Sequence, residues 1–506
     1  MSWRTLSPDL QQQLARLSMF RGGFTQTAVQ QVTAAGPQHL NALIDKSLLI
    51  YQAETERYLL HPVIRAYAAE KRDPTDPTPH KHAHFYLTLL AQHTEPLQKE
   101  RPQESMRLLE PDIDNIRRAW QTGLAAKNAG LLKNAITSFS IYFQLRGLAR
   151  EGEAIMHTTL DTAKGWGDDG IPVATRAGLE RARFQNRLGQ YRLAMQTLQS
   201  THTLATQAGD RWAEGMAHIW WGESLWRLGE YELATIKLNH ALDIGQKLDA
   251  TLIIGWGHHQ LGIVNAIQSV PSVALNHLEQ ASEVWQKLDN TNKLSVTLNS
   301  IGLVYRDQGD FNAAKEAMEK ALEICTEQDN RYLQAMLLSN LSSMYIEQKD
   351  HFGAQYYLQL GLELAIASGS LHSQGDIYLN LGENYRSQGE DKLAFDNLER
   401  GLKIAERIGN RPSIAEGLCR LADLKRKQKD ISGAEKLYNR ALQISRQDNL
   451  KNIECEVLIG LFELFEGVDS EKAKKYSFEA SDAVKTIDHP QLMQRVEAAI
   501  HYLSLK

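Results

Sequence analysis

The hydrophobic positions of this chain recur with a long period. Shifting the sequence against itself by 40 residues aligns Ala194, Ala234, Ala274, Ala314, Ala354, Ala394 and Ala434. Twelve residues earlier in each unit stand Ala182, Gly222, Gly262, Gly302, Ser342, Gly382 and Ala422, small side chains throughout. Two further series are large and apolar: Leu198, Leu238, Leu278, Met318, Leu358, Leu398 and Tyr438, and Leu204, Ile244, Val284, Ile324, Leu364, Ile404 and Ile444. Small positions let two helices approach closely, and large ones fill the space beside them. Each unit therefore reads as a pair of amphipathic helices whose apolar stripes are buried by stacking on the next pair. Turn-forming residue types punctuate the pattern. Gly209, Asp249, Asp289, Asp329, Gly369, Gly409 and Asn449 close each second helix. Gly229, Gly309 and Gly389 sit between the helices of a unit, with Ser269, Lys349 and Lys429 at the aligned positions elsewhere. Helices of about 15–18 residues joined by short turns are predicted. After Ala434 the phase slips by one, to Ala473, and QLMQRVEAAIHYLSL predicts a terminal capping helix.

The first 170 residues follow a different pattern. LSPDLQQQLARLSMF predicts a helix and RGGF a turn; TQTAVQQVTAA predicts a second helix with Thr25 as N-cap, and PQHLNALIDKSL a third opening at Pro37. The period then changes. SLLIYQ and RYLLH are two short β-type runs around AETE, a small hairpin, and Pro62 opens another helix. Three helices followed by a hairpin is the winged-helix layout. DPTDPTPHK carries three prolines in nine residues and reads as a linker. The expected organisation is a winged-helix domain over 1–72, a linker over 73–80, irregular helical pairs over 81–173, the array over 174–487, and the capping helix over 488–506. The fold class is all-α, an α-α superhelical solenoid with a small N-terminal domain carrying a β-hairpin.

Composition narrows the functional classes. The 506 residues exceed one ordinary core, which suits a repeat array. With 56 Lys+Arg against 61 Asp+Glu and a formal net charge of -5, no electrostatic footprint for nucleic acid stands out. No signal-like start and no run of eighteen apolar residues occurs, so a cytoplasmic location without membrane association is expected. Cys325, Cys419 and Cys455 form no CxxC pair and read as small buried residues. His80, His82 and His84 are dense, but a spacing of two turns successive side chains about 200° around a helix, which disfavours a metal site. His258 and His259 are adjacent and diverge; IWWGESLW places Trp220, Trp221 and Trp226 so close that at least one indole is a candidate for a binding surface. No nucleophile–base pair is readable, so no enzyme, cofactor or metal is expected.

The stretch IGLVYRDQGDFNAAKEAMEKAL, with Gly302, Tyr305, Gly309, Ala314 and Ala321, resembles the tetratricopeptide repeat, and the units around Ser342 and Gly382 match almost as well. The resemblance covers about residues 174 to 487, although the usual 34-residue period is 40 here and the closing proline is missing, which leaves the superhelical pitch open. It implies that the first helix of each unit lines a concave groove, with exposed positions two before, one after and four after the small residue. Those positions, with Asn299 and His259 beside them, yield Trp220, Glu223, His259, Gln260, Asn299, Arg306, Asn340, Asn380, Glu383, Arg386 and Arg420 as groove candidates. A carboxamide offers a donor and an acceptor together, so Asn299, Asn340 and Asn380 suit an extended main chain, and Arg306 and Arg386 suit a carboxylate or phosphate.

A second resemblance is carried by LARLSMFRGGFT, LIDKSLLI, RYLLHPVIRAYA, HAHFYLTLLA and LEPDIDNIRRAW, which look like the segment following the nucleotide-binding core of STAND signal-transduction ATPases. In that family a winged helix links a P-loop ATPase to a C-terminal sensor array. The sequence holds no G-x-x-x-x-G-K-[ST] loop, so a P-loop core would have to act in cis upstream or in trans, and the start near Trp3 reads as a cut. His61 falls where the family's winged helix carries a nucleotide-contacting histidine, with Pro62 in place of the usual Asp. The expected function is a ligand-sensing or protein-interaction module that takes a peptide, protein segment or small ligand in the groove. The alternatives are a free-standing adaptor and a transcription regulator. Against the latter, Lys46 is the only Lys or Arg of PQHLNALIDKSL.

Overall fold

The computed structural model describes residues 2–98, 102–268, 270–485 and 490–504. Ser269 lies outside the described residues, as do residues 488–489 and 505–506 at the two ends of the expected capping helix. The chain falls into two compact units, residues 1–142 with 158–177, and residues 143–157 with 178–506.

The first unit opens with α1 (Pro8–Leu17), β1 (Gly23–Phe24), α2 (Gln26–Thr33), α3 (Pro37–Asp45), β2 (Ile50–Gln52), β3 (Arg57–Leu59) and α4 (Pro62–Glu70). It continues through α5 (Thr78–Gln92), α6 (Thr94–Gln98), α7 (Pro102–Leu109), α8 (Ile113–Ala125) and into α9 (Ala129–Leu145) and α10 (Ala149–Lys164). Thr25 caps α2 as its sequence position predicts, its Oγ1 accepting from the Ala28 N–H at 3.2 Å. The hairpin β2–β3 forms in antiparallel register with Tyr51 opposite Tyr58. RGGF departs from the turn expected of it. Gly23 and Phe24 pair with Leu59 and Tyr58, making a third strand at the outer side of β3. What fixes this strand is tertiary: Phe24 is fully buried and stacks on Phe20 at 4.4 Å, and the Gly23 carbonyl accepts from Arg57 and Asn115. The proline-rich stretch is ordered rather than loose. Asp73 and Asp76 accept from the N–H groups of Thr75 and Thr78, and Arg16 of α1 holds Asp76 at 2.8 Å. His82 is buried among Phe20 and Tyr86 and held neutral, with burial and the nearby Arg118 pushing its pKa down to about 3.

The second unit is the array. Its helices alternate as first and second members of each pair: α11 (Ile171–Arg187) and α12 (Tyr191–Gln207), α13 (Arg211–Arg227) and α14 (Tyr231–Lys247), α15 (Thr251–Ile267) and α16 (Pro271–Lys287), α17 (Thr291–Asp307) and α18 (Phe311–Glu327). These continue with α19 (Arg331–Glu347) and α20 (His351–Ala367), α21 (Leu371–Gln388) and α22 (Asp391–Ile408), α23 (Arg411–Lys427) and α24 (Ile431–Gln447), and α25 (Lys451–Phe465) and α26 (Ser470–Val484), closed by α27 (Pro490–Ser504). The small and large series interlock directly. A Cβ added at Gly222, Gly262, Gly302 or Gly382 would sit 2.5–2.6 Å from the side chain of Leu238, Leu278, Met318 or Leu398, sixteen residues on in each case. All seven repeated alanines are fully buried. The punctuation is a backbone requirement: Gly209, Asp249, Asp289, Asp329, Gly369, Gly409 and Asn449 all have positive φ, and so do Gly229, Gly309, Lys349, Gly389 and Lys429. A series absent from the sequence reading caps the helix starts at seven of the turns. Asp210, Asn290, Asp310, Asn330, Asp350, Ser370 and Asp430 accept side-chain hydrogen bonds from the N–H three residues on, each N-cap contributing about 1 kcal/mol.

The first helices contact one another from pair to pair, as α13 does α15, α19 does α21 and α23 does α25, and form the inner layer of a superhelix. Its pitch follows from contacts between successive turns. Gly189, after α11, meets Pro412 at the start of α23. Leu228, after α13, clusters with Tyr191, Ala415 and Leu450 and accepts from Asn449 just before α25. From α11 to α23, and from α13 to α25, is twelve helices, so six pairs make one turn. Arg146 and Arg150 cap helix ends one turn away, donating to the carbonyls of Ser368 and Glu406 at 3.3 Å each, where the C-terminal ends of α20 and α22 favour a cation.

Candidate functional site

A six-pair turn whose successive layers touch leaves a narrow lumen, and side chains from different walls meet inside it. Arg187, on the last turn of α11, crosses to α19, where its guanidinium donates to the Tyr332 hydroxyl and lies 5.7 Å from that ring. Lys293, on the first turn of α17, comes from the wall opposite α11. Its ammonium sits 4.5 Å over the Trp256 ring, and burial, then Arg183 of α11, lowers its pKa to about 7 against the pull of Glu180. Trp256 contacts Trp220 edge-on at 5.1 Å, and Arg183 covers the other indole at 4.8 Å. Two indoles are thus framed by two cations from facing walls.

The candidates named from sequence largely tie neighbouring first helices to one another. Gln260 is buried and accepts from the Trp226 indole N–H at 2.9 Å. His259 is buried, hydrogen-bonded to Thr297 at 3.0 Å and kept neutral by burial at a pKa of about 3. Asn299 is buried and accepts from Asn340 at 2.9 Å; Asn380 donates to Ser339 at 3.1 Å and Ser343 at 3.2 Å. Arg420 donates to the Leu379 carbonyl at 3.0 Å and pairs with Glu416. Arg306 pairs with Asp307 at 2.8 Å and reaches Glu347 at 3.8 Å. Glu383 and Arg386 form a two-bond pair at 2.6 and 2.9 Å, which holds the carboxyl below its usual pKa although burial opposes it. Glu223 stands 4.0 Å from Arg227, and Trp220 is buried beneath Arg183. His61 lies in the first unit, exposed, as the N-cap of α4; its Nδ1 accepts from the Val63 N–H at 3.3 Å. His258 diverges from His259 and meets His277 at 3.0 Å.

Lateral pairing leaves a few lumen charges over. Among the described residues, Lys293, Arg187 and Glu456 have no ion-pair partner, in contrast to Arg183 with Glu180 and Arg411 with Asp448. Burial, and then Glu416, raises the Glu456 carboxyl to about 7 despite Arg420 and Arg495. These three, with Tyr332, are lumen residues that the sequence reading missed. Lys293, Arg187 and Tyr332 sit at the ends of their helices, outside the middle where the groove series was drawn, and Arg187 meets Tyr332 only because the turn closes, whereas Glu456 lies near the middle of α25 beside Glu416 and Arg420 of α23. Among the described residues no three His, Cys, Asp or Glu side chains lie close enough to hold a metal, and no helix is long and apolar enough to cross a membrane.

The family model of the tetratricopeptide repeat matches residues 293–367 and 373–447. No curated protein matches the chain by sequence. Among solved structures, the fold is similar to a Signal Transduction ATPase with Numerous Domains (STAND) protein with a tetratricopeptide repeat sensor from Pyrococcus horikoshii, at 14% identity and a TM-score of 0.51. That match covers 90% of this chain and 66% of the other, so this chain spans less than two thirds of that protein's length. It is also similar to a Rap protein complexed with Competence and Sporulation Factor, at 12% identity and a TM-score of 0.50, over 72% of this chain and 98% of that one. The match over four units, the interlocked small and large series and the stacking of helix pairs together establish that this chain carries an array of tetratricopeptide repeats.

Proposed function

We propose that the array is a binding module that takes an extended peptide or protein segment in its lumen, with an acidic group of that ligand on Lys293 and Arg187. The observation that carries this reading is that Lys293 and Arg187 have no ion-pair partner in a lumen where neighbouring cations such as Arg183 and Arg411 are paired. An enclosed cation without a counter-charge gains most from a ligand carboxylate, because neither is well solvated there. Trp256 and Tyr332 supply rings beside those cations, and Asn340 and Asn380 supply carboxamides along the same wall. Glu456 gives the lumen an acidic counterpart further along, suited to a basic group. The Rap structure, solved with its factor bound, supports the reading by analogy of fold. In the wider context we assign this module to the sensing part of a STAND-type signalling protein, acting with a P-loop ATPase core in cis or trans. The three helices and antiparallel sheet at the N-terminus, and the fold likeness to the STAND sensor protein, favour this.

The test is a selection of random displayed peptides on the full chain, followed by calorimetry of the enriched synthetic peptides on wild type, Lys293→Met and Arg187→Met, with melts to verify folding. Enriched peptides with an acidic group, and binding weakened at least tenfold in both variants, are expected. Equal affinity in the variants, or no enrichment, would overturn the assignment.

A further inference from the structure

A second concentration of unmatched charge lies in the first unit. Arg21, in the loop after α1, Arg65 of α4, and Arg117 and Arg118 of α8 line a cavity of about 330 Å³ together with Gly22, Asp114 and Gln121. Asp114 is the one carboxylate in that lining, and it accepts from Arg117 at 2.9 Å. Among the described residues, Arg21, Arg65 and Arg118 make no salt bridge, and the Arg118 Nε is buried without a hydrogen-bond partner. Four guanidinium groups thus line the cavity with a single carboxylate, Asp114, which pairs with Arg117 and whose charge also reaches Arg65. Burial, and then Arg21, lowers the pKa of both Arg65 and Arg118, and Arg72 adds to the field at Arg118.

The loop that presents Arg21 is held rigidly. Its backbone N–H donates to Asn115 at 2.7 Å; Asn115 in turn donates to the Gly23 carbonyl at 3.0 Å and to Asp112 at 3.0 Å. Arg57 grips the same carbonyl at 2.6 Å and Asp112 at 2.5 Å. Phe20 is locked between Phe24 and His82. Gly22 has φ +70 and nothing within 4 Å of where a Cβ would stand, so it brings no side chain over the cavity. A fold that keeps like charges together on a fixed frame has set aside free energy that a counter-anion recovers.

We infer that this cavity is a binding site for a small phosphoryl anion, inorganic phosphate or a phosphate monoester, gripped by Arg21, Arg65 and Arg118, with the Gln121 amide as a further donor. Guanidinium forks match the paired oxygens of a tetrahedral dianion, and a divalent charge answers three cations better than a single carboxylate does.

The full chain is titrated with inorganic phosphate, phenyl phosphate, acetate and chloride at constant ionic strength, with thermal melts and calorimetry on wild type, Arg65→Met and Arg118→Met. Saturable stabilisation by phosphate is expected, with acetate and chloride at least tenfold weaker, and loss of that response in both variants. Comparing phosphate with phenyl phosphate tells the free ion from a monoester. Because each substitution relieves repulsion, the anion-free variants are expected to melt at or above the wild-type temperature, which separates lost binding from lost folding. Equal responses to phosphate and chloride, an undiminished phosphate response in the variants, or preferential binding of duplex DNA at this cavity would overturn the inference.

Discussion

The interlock of Gly262 with Leu278 makes a prediction whose sign depends on the background. Leu278 is fully buried, and a Cβ at Gly262 would stand 2.5 Å from its Cγ, 2.7 Å from its Cδ2 and 3.2 Å from the Ala274 carbonyl. Leu278→Ala should cost about 3 kcal/mol, the usual loss for a leucine truncated inside a well-packed core. In the wild type, Gly262→Ala gains about 1 kcal/mol of helix preference but loses about 1–3 kcal/mol to overpacking against Leu278, so it should be neutral or destabilising. Once Leu278 is truncated only the 3.2 Å approach to the Ala274 carbonyl remains, and the same substitution should be neutral or stabilise by up to about 1 kcal/mol. The two sites should therefore couple by about 1–3 kcal/mol. Repeat arrays open piecemeal, so the suitable assay is native-state hydrogen exchange read on the amides of α15 and α16, where local opening free energies are obtained directly. If Gly262→Ala shifts those values equally in both backgrounds, the packing argument fails.

Three further outcomes follow from other parts of the fold. The Lys293 ammonium is depressed from the ordinary lysine range to about 7, so between about pH 7 and 10.5 the unfolded chain binds the extra proton. Over that window the wild type should gain stability with rising pH relative to Lys293→Met, as parallel thermal melts across pH would reveal. The Glu456 carboxyl is raised to about 7, so its contribution is lost as pH climbs through 4.5 to 7; Glu456→Gln should raise the melting temperature at pH 8 and leave it unchanged at pH 4. Removing both caps between turns, Arg146→Ala with Arg150→Ala, should accelerate amide exchange near Ser368 and Glu406 and raise the radius of gyration measured by X-ray scattering, at a cost of about 1–2 kcal/mol.

The array was legible in sequence because each repeat solves the same packing problem. Gly222, Gly262, Gly302 and Gly382 recur where the facing Leu or Met leaves no room for a Cβ, and a residue able to adopt positive φ recurs at each helix exit from Gly209 to Asn449. The N-cap series from Asp210 to Asp430 was equally available but is interrupted by Glu230, Ala250, Val270, Glu390 and Asn410, which make no such bond. The strand at Gly23–Phe24 could not be read locally, since two residues carry no periodicity and the pairing depends on Arg57 and Asn115 far along the chain. The lumen followed the same division. Pair-to-pair positions such as Asn299 and Asn340 come from the period, whereas the meeting of Arg187 with Tyr332 depends on the number of repeats per turn. That number is fixed by inter-turn contacts such as Gly189 on Pro412, which have no signature in a 40-residue repeat.

Lysine reactivity tests the lumen assignment most directly. With its pKa near 7, Lys293 should be among the first amines modified by a brief exposure to an acylating reagent at pH 7, ahead of surface lysines such as Lys247 and Lys403. Mass spectrometric mapping with and without a selected peptide should show Lys293 protected at saturating peptide and the surface lysines unchanged. A peptide that binds while Lys293 labels at its original rate would contradict the claim that the lumen is the binding site.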